Sequence, residues 1–212
     1  MAQIHFSGDR KVKLRLDYSH GSCIVLAVLC LTVPLDWIAA AFFAALVHEL
    51  SHVLAVLLTG GRIESVMISE RGAVMDVSPM TSGRELICIL AGPAGSLGLM
   101  AVCRYFPKTA LCGLVQGAYN LLPIYPLDGG QAVRCILDMI CSPQKSEKWC
   151  GRISAGTVFM AVIVLVFFGF RWNLGLFPLL AAGLLVHRWV SGKICLQRKP
   201  FGSTIGTPYK MR

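Results

Sequence analysis

Apolar residues fall in long runs along this chain. The longest, residues 22–58, extends 37 residues without a lysine or arginine and is interrupted by Pro34 and Asp36. One straight helix of that length would measure about 55 Å, nearly twice the roughly 30 Å hydrocarbon core of a bilayer, so the run divides at Pro34 into two spans. Further apolar stretches lie at residues 85–103, 109–140, 153–170 and 172–186. The first of these holds Ala91, Gly92, Pro93, Ala94, Gly95, Ser96 and Gly98, small residues that let helix backbones approach closely. The second is interrupted by Pro123, Pro126, Gly129 and Gly130, so its helix must break there. Non-helical backbone at membrane depth is tolerated only where it is buried in protein or lines a water-filled cavity.

Between the second and third spans the pattern changes period. Ile63, Ser65, Met67 and Ser69, then Ala73, Met75 and Val77, flank the polar turn Glu70-Arg71-Gly72, which reads as a β-hairpin at or just within the membrane surface. The fold class expected is therefore an all-α polytopic membrane protein, with about six transmembrane helices and a small membrane-associated β-hairpin after the second. Residues 1–21 form a cytoplasmic N-terminal segment, 22–190 the membrane domain and 191–212 a basic cytoplasmic tail.

Composition agrees: 55% of residues are hydrophobic and 15% charged, against about 25% charged in ordinary soluble domains. The formal charge of +9, from 20 bases and 11 acids, admits either nucleic acid or an anionic membrane surface as partner. Its distribution decides for the membrane, because the bases cluster at the ends of apolar runs and form no stripe interleaved with aromatics. With both termini in the cytoplasm, only Arg104, Lys108 and Arg171 fall on the opposite side, as the positive-inside rule asks. Nine cysteines, an odd number with no CxxC, argue against a disulfide framework. A signal-peptide core at residues 23–33 is rejected because its small-residue cleavage site would fall inside the next apolar run.

Chemistry enters at His48-Glu49-Leu50-Ser51-His52, inside the second span. Residues i and i+4 share one helix face, so both imidazoles can reach one ion, with Glu49 beside them to act on water. Chance would supply roughly 0.003 such matches in a chain of this composition. A structural explanation would have to place two histidines and a glutamate mid-span, where a charged group costs at least about 2.5 kcal/mol. Hydrolytic zinc usually has three protein ligands. Asp128 is the best candidate for the third, since it lies in the broken fourth segment and is followed by two glycines that let backbone pass close to an ion. Glu85 and Asp138 flank spans, and His20 and His187 sit at span ends, where interfacial roles suit them better.

His48-Glu49-x-x-His52, then Ala91-Gly92-Pro93-Ala94-Gly95, then Asn120-x-x-Pro123-x-x-Pro126-Leu127-Asp128-Gly129-Gly130, resembles the site-2 protease family of intramembrane zinc metalloproteases. The resemblance covers roughly residues 21–140, and the compact layout is most similar to the bacterial branch that includes the sporulation sigma-factor-processing protease. It implies regulated intramembrane proteolysis of a membrane-associated protein substrate, with one Zn2+ held by His48, His52 and Asp128 and Glu49 as general acid/base. It implies for Asn120 a hydrogen bond to substrate backbone or to the tetrahedral oxyanion, although capping of a broken helix explains a buried asparagine equally well. As it stands the chain has room for neither a PDZ nor a CBS domain, so the resemblance leaves regulation open, including by an unidentified membrane protein.

A helical substrate must unwind before its peptide bond can be attacked. An unpaired hairpin edge at Ile63, Ser65 and Met67 would receive it as an added strand. His48 lies ten residues before Leu58, about 15 Å along a helix, and Asp128 six before Arg134, about 9 Å, which places the active-site opening toward the cytoplasm. Two other classes fit the same ligands. One is a divalent metal transporter, which would need polar groups at several depths. The other is an inactive relative that binds membrane helices.

Overall fold

The structure, a computed structural model, describes residues 2–6, 10–17, 32–69, 72–78, 80–172, 175, 177–197 and 209–211. All but the end of the first expected span lies outside these residues. The chain divides into two compact units, Met1–Asn120 with Ile205–Arg212, and Leu121–Thr204.

In the first unit, α1 (Leu35–Leu58) begins immediately after Pro34, whose missing N–H and fixed φ suit a helix start. It ends at Thr59, where Gly60 takes the left-handed conformation (φ 76°) and the Gly61 N–H returns to the Val56 carbonyl at 2.8 Å. α2 (Ser82–Gly98) continues into a 3-10 turn at Leu99–Val102, and α3 spans Pro107–Asn120. The three helices pack on one another. A small core of Ala55, Val56, Val77 and Cys88 joins α1 to α2, with Ile63 and Met80 packed against it.

The surface of α1 is inverted relative to a water-soluble helix. Ala40, Ala44, His48, His52 and Ala55 are buried, whereas Phe42 (70% exposed), Leu46, Leu50, Leu54 (57%) and Leu57 face outward. Small and polar residues inside with large apolar residues outside is the arrangement a lipid solvent selects. Three described helices are long and apolar enough to cross a membrane: α1, α2 with its 3-10 extension, and Pro143–Arg171.

The chain is mostly helical and adds a five-stranded sheet in the order β1-β2-β3-β4-β5, wider than the lone hairpin expected. Its strands are β1 (Ala2–Phe6), β2 (Arg10–Asp17), β3 (Ile63–Ser69), β4 (Gly72–Val77) and β5 (Tyr209–Met211). β3 and β4 pair antiparallel, with a register shift between Ile63 and Ser65. This topology corrects the expected substrate edge. Ser65 and Met67 pair with Lys13 and Arg15 of β2 on one side and with Asp76 and Val74 on the other, while Ile63 pairs with Val77. Over Ser65–Ser69, β3 is an interior strand with no open ladder. The terminal segments read as polar flanks supply β1, β2 and β5.

In the second unit, the turn at residues 121–127 contains a cis Tyr125-Pro126 bond and leads into α4 (Asp128–Ile140). α5 (Pro143–Arg171) packs on α4 and on α6 (Phe177–Gln197). The break expected within residues 109–140 falls between α3 and α4. The Ser154 hydroxyl of α5 accepts the Tyr125 N–H at 3.1 Å.

Candidate metal centre

α1 presents His48 and His52 one turn apart on its buried face, 3% and 6% exposed. Their rings meet edge to face with centroids 4.9 Å apart, and their Nε2 atoms lie 3.3 Å apart. Each Nδ1 is tied to α2. His52 Nδ1 lies 2.8 Å from the Cys88 carbonyl oxygen, and His48 Nδ1 lies 2.8 Å from Ser96 Oγ. A carbonyl can only accept, so His52 carries its proton on Nδ1 and its lone pair on Nε2. Glu49, half-buried, follows His48 on the helix.

Glycines on α2 make this fit. A Cβ at Gly92 would overlap the His52 ring, and one at Gly95 would overlap the Ser51 hydroxyl. Cys88, Gly92 and Ser96 recur at helical spacing, so a single face of α2 supplies an acceptor, a space and a hydroxyl to the ring pair. Gly113 and Gly117 of α3 likewise admit Leu99, Leu97 and the Ser96 and Pro93 carbonyls. Asn120, the last residue of α3, brings its amide nitrogen to 3.4 Å from His48 Nε2.

The donor set fits zinc. Two nitrogens bound to tetrahedral zinc at about 2.0–2.1 Å are separated by about 3.3–3.4 Å, and the observed separation is 3.3 Å. The second nitrogen of each ring is held by a hydrogen bond, as zinc-ligating histidines usually are.

In the second unit, Asp128 is the first residue of α4 and is 5% exposed. An acidic residue in a first turn suits the helix N-terminus. The glycines after it serve the turn itself: a Cβ at Gly129 would overlap the Leu121 carbonyl, and one at Gly130 would overlap the backbone at Ile124 and Tyr125. Gln131 closes the turn by donating to the Pro126 carbonyl at 3.1 Å. The sequence argument attributed those glycines to an approaching ion; within this unit they make room for returning backbone.

Comparison with known proteins places this geometry. The Peptidase M50B-like family model matches residues 21–122. A zinc metalloprotease of Methanocaldococcus jannaschii is 29% identical over 140 residues, covering 59% of this chain and 40% of that protein. The protein Rip3 of Mycobacterium tuberculosis is 29% identical over 165 residues, covering 69% of this chain and 40% of that one. The solved site-2 protease from Methanocaldococcus jannaschii superposes with a TM-score of 0.60 at 19% identity, covering 96% of this chain and 98% of that structure. In sequence and fold the chain is similar to the site-2 protease family.

The chain spans about two fifths of the length of the two sequence relatives named here. The likeness to the solved site-2 protease is one of fold. The His48-Glu49-x-x-His52 motif of α1 and the glycine-proline segment of α2 both lie within the residues that the family model matches. Sequence reasoning treated Ser96 as one more small packing residue. The only signal that could have separated it was a hydroxyl, the one polar group in Ala91-Gly92-Pro93-Ala94-Gly95-Ser96. The Cys88 carbonyl carries no sequence signal at all.

Proposed function

We propose that this chain is an intramembrane zinc metalloprotease that hydrolyses a peptide bond of a membrane-associated protein substrate, as in regulated intramembrane proteolysis. The observation that carries this reading is the buried histidine pair, with Nε2 atoms 3.3 Å apart and both Nδ1 atoms fastened to α2. His48, His52 and Asp128 would hold one zinc ion; for Asp128 the support is its residue type, its burial and its place in the Asn120-to-Gly130 motif. When bound, zinc supplies a Lewis acid for the scissile carbonyl and lowers the pKa of water to about 7.

The chain's own groups do the rest. Glu49 takes the proton from the attacking water and returns it to the leaving amine, which needs a carboxylate beside the ligands but not among them. The Asn120 amide, 3.4 Å from His48 Nε2, would donate to the carbonyl oxygen as it gains negative charge. Burial of the histidines excludes bulk water from the reacting groups. Residues 22–190 make up the protease domain, with six spans, the β3–β4 pair of the sheet at the membrane surface, cytoplasmic termini and an active-site opening on the same side. The excess of lysine and arginine at the chain ends supports that orientation.

The test is Glu49→Gln. Substrates captured by this variant in native membranes are identified by mass spectrometry against a Glu49→Gln/His48→Ala control, and their cleavage by the parent is then measured. The variant should keep its zinc while cleavage falls by at least about 100-fold. Full activity in Glu49→Gln would contradict the mechanism.

A further inference from the structure

Of the two histidines, His52 is fastened by a backbone carbonyl, which fixes its tautomer whatever side chain stands at position 88. His48 is fastened by a hydroxyl, which both donates and accepts. The two directions have opposite consequences. If Ser96 donated to Nδ1, the His48 proton would sit on Nε2 and point at the His52 lone pair 3.3 Å away, closing the pair with an imidazole-imidazole hydrogen bond. If Ser96 accepts from Nδ1–H, both Nε2 lone pairs converge on the same point.

We propose that Ser96 is a positioning residue for zinc. Its hydroxyl accepts the His48 Nδ1 proton and so selects the tautomer and ring orientation in which His48 can ligate. This rests on the zinc reading given above. The surroundings make the arrangement rigid. Ser96 has no exposed surface, its carbonyl backs against Gly113 of α3, and the turn of α2 before it carries Gly92 against the other imidazole. The hydroxyl therefore has little freedom to leave the ring. α2 supplies the acceptors for both histidines from one face, so the pair is set before any ion arrives. In this arrangement the glycine-proline segment organises the ligands as well as packing the helices.

The experiment uses the full chain in detergent or nanodiscs and compares the parent with Ser96→Ala and Ser96→Cys. Zinc affinity is read by competition with a chromophoric chelator, and ligand geometry by the visible absorption of the Co2+-substituted protein. Removal of a partner that orients a metal-bound histidine typically weakens binding about 10–100-fold. Both variants should lose affinity by about that factor and shift the Co2+ bands. Cysteine keeps a side chain here, slightly larger than that of serine, but accepts poorly. Ser96→Thr, which keeps the hydroxyl, should hold affinity within a few-fold of the parent. Parent affinity in Ser96→Cys would mean that the hydroxyl is not what orients His48. That result, or parent affinity and parent Co2+ bands in Ser96→Ala, would overturn the proposal. A parent chain that bound no zinc would instead overturn the zinc reading on which it rests.

Discussion

A buried histidine is made a ligand or a core residue by what its second nitrogen touches. His48 and His52 are both held through Nδ1, leaving Nε2 to meet across 3.3 Å. His48, Glu49 and His52 could be read from the sequence because a four-residue spacing fixes which side chains share a helix face. Their supports could not be read, because spacing does not say which neighbouring helix faces the rings or which backbone carbonyl is within reach. Gly92 shows the difference. In the sequence it is a small residue suited to helix packing; in the structure it is the space that the His52 ring occupies. Gly92→Ala should push that ring aside at an overpacking cost of about 1–3 kcal/mol and weaken zinc binding, read by thermal unfolding and by chelator competition.

At the scale of elements, two breaks in the apolar pattern translate directly. α1 starts after Pro34, and the segment with Pro123 and Pro126 separates α3 from α4, because proline cannot continue either ladder. The strands at the chain ends were missed. Val12, Leu14 and Leu16 alternate with Lys11, Lys13 and Arg15, a period-two pattern that the positive charge obscured. In β3 their partners are 52 residues further along the chain, and local sequence does not specify a parallel pairing of that kind. The inverted surface of α1 yields its own expectation. Leu54→Ala, on the outward face, should change stability by less than about 0.5 kcal/mol, whereas Ala44→Leu, at a position with no exposed surface, should cost about 1–3 kcal/mol. Unfolding in detergent measures both, and equal costs would contradict a lipid-facing assignment for Leu54.

For the molecule as a whole, apolar residues are abundant and ionisable groups within the apolar runs are few, among them His48, Glu49, His52 and Asp128. Such groups are expensive in a bilayer and are retained for function. The similarity to the Peptidase M50B-like family and the buried histidine pair make zinc-dependent proteolysis the proposed reading that accounts for that expense. Treatment with a strong chelator should abolish cleavage, and added zinc should restore it, with the Glu49→Gln variant silent throughout. The most direct measurement is the zinc content of the purified full chain by atomic emission. One ion per chain in the parent, falling below about a tenth of that in His52→Ala and in Asp128→Asn, is the result expected from a three-ligand site. A parent that carries no zinc after growth and purification with zinc present, or an Asp128→Asn variant that keeps its full complement, would contradict it.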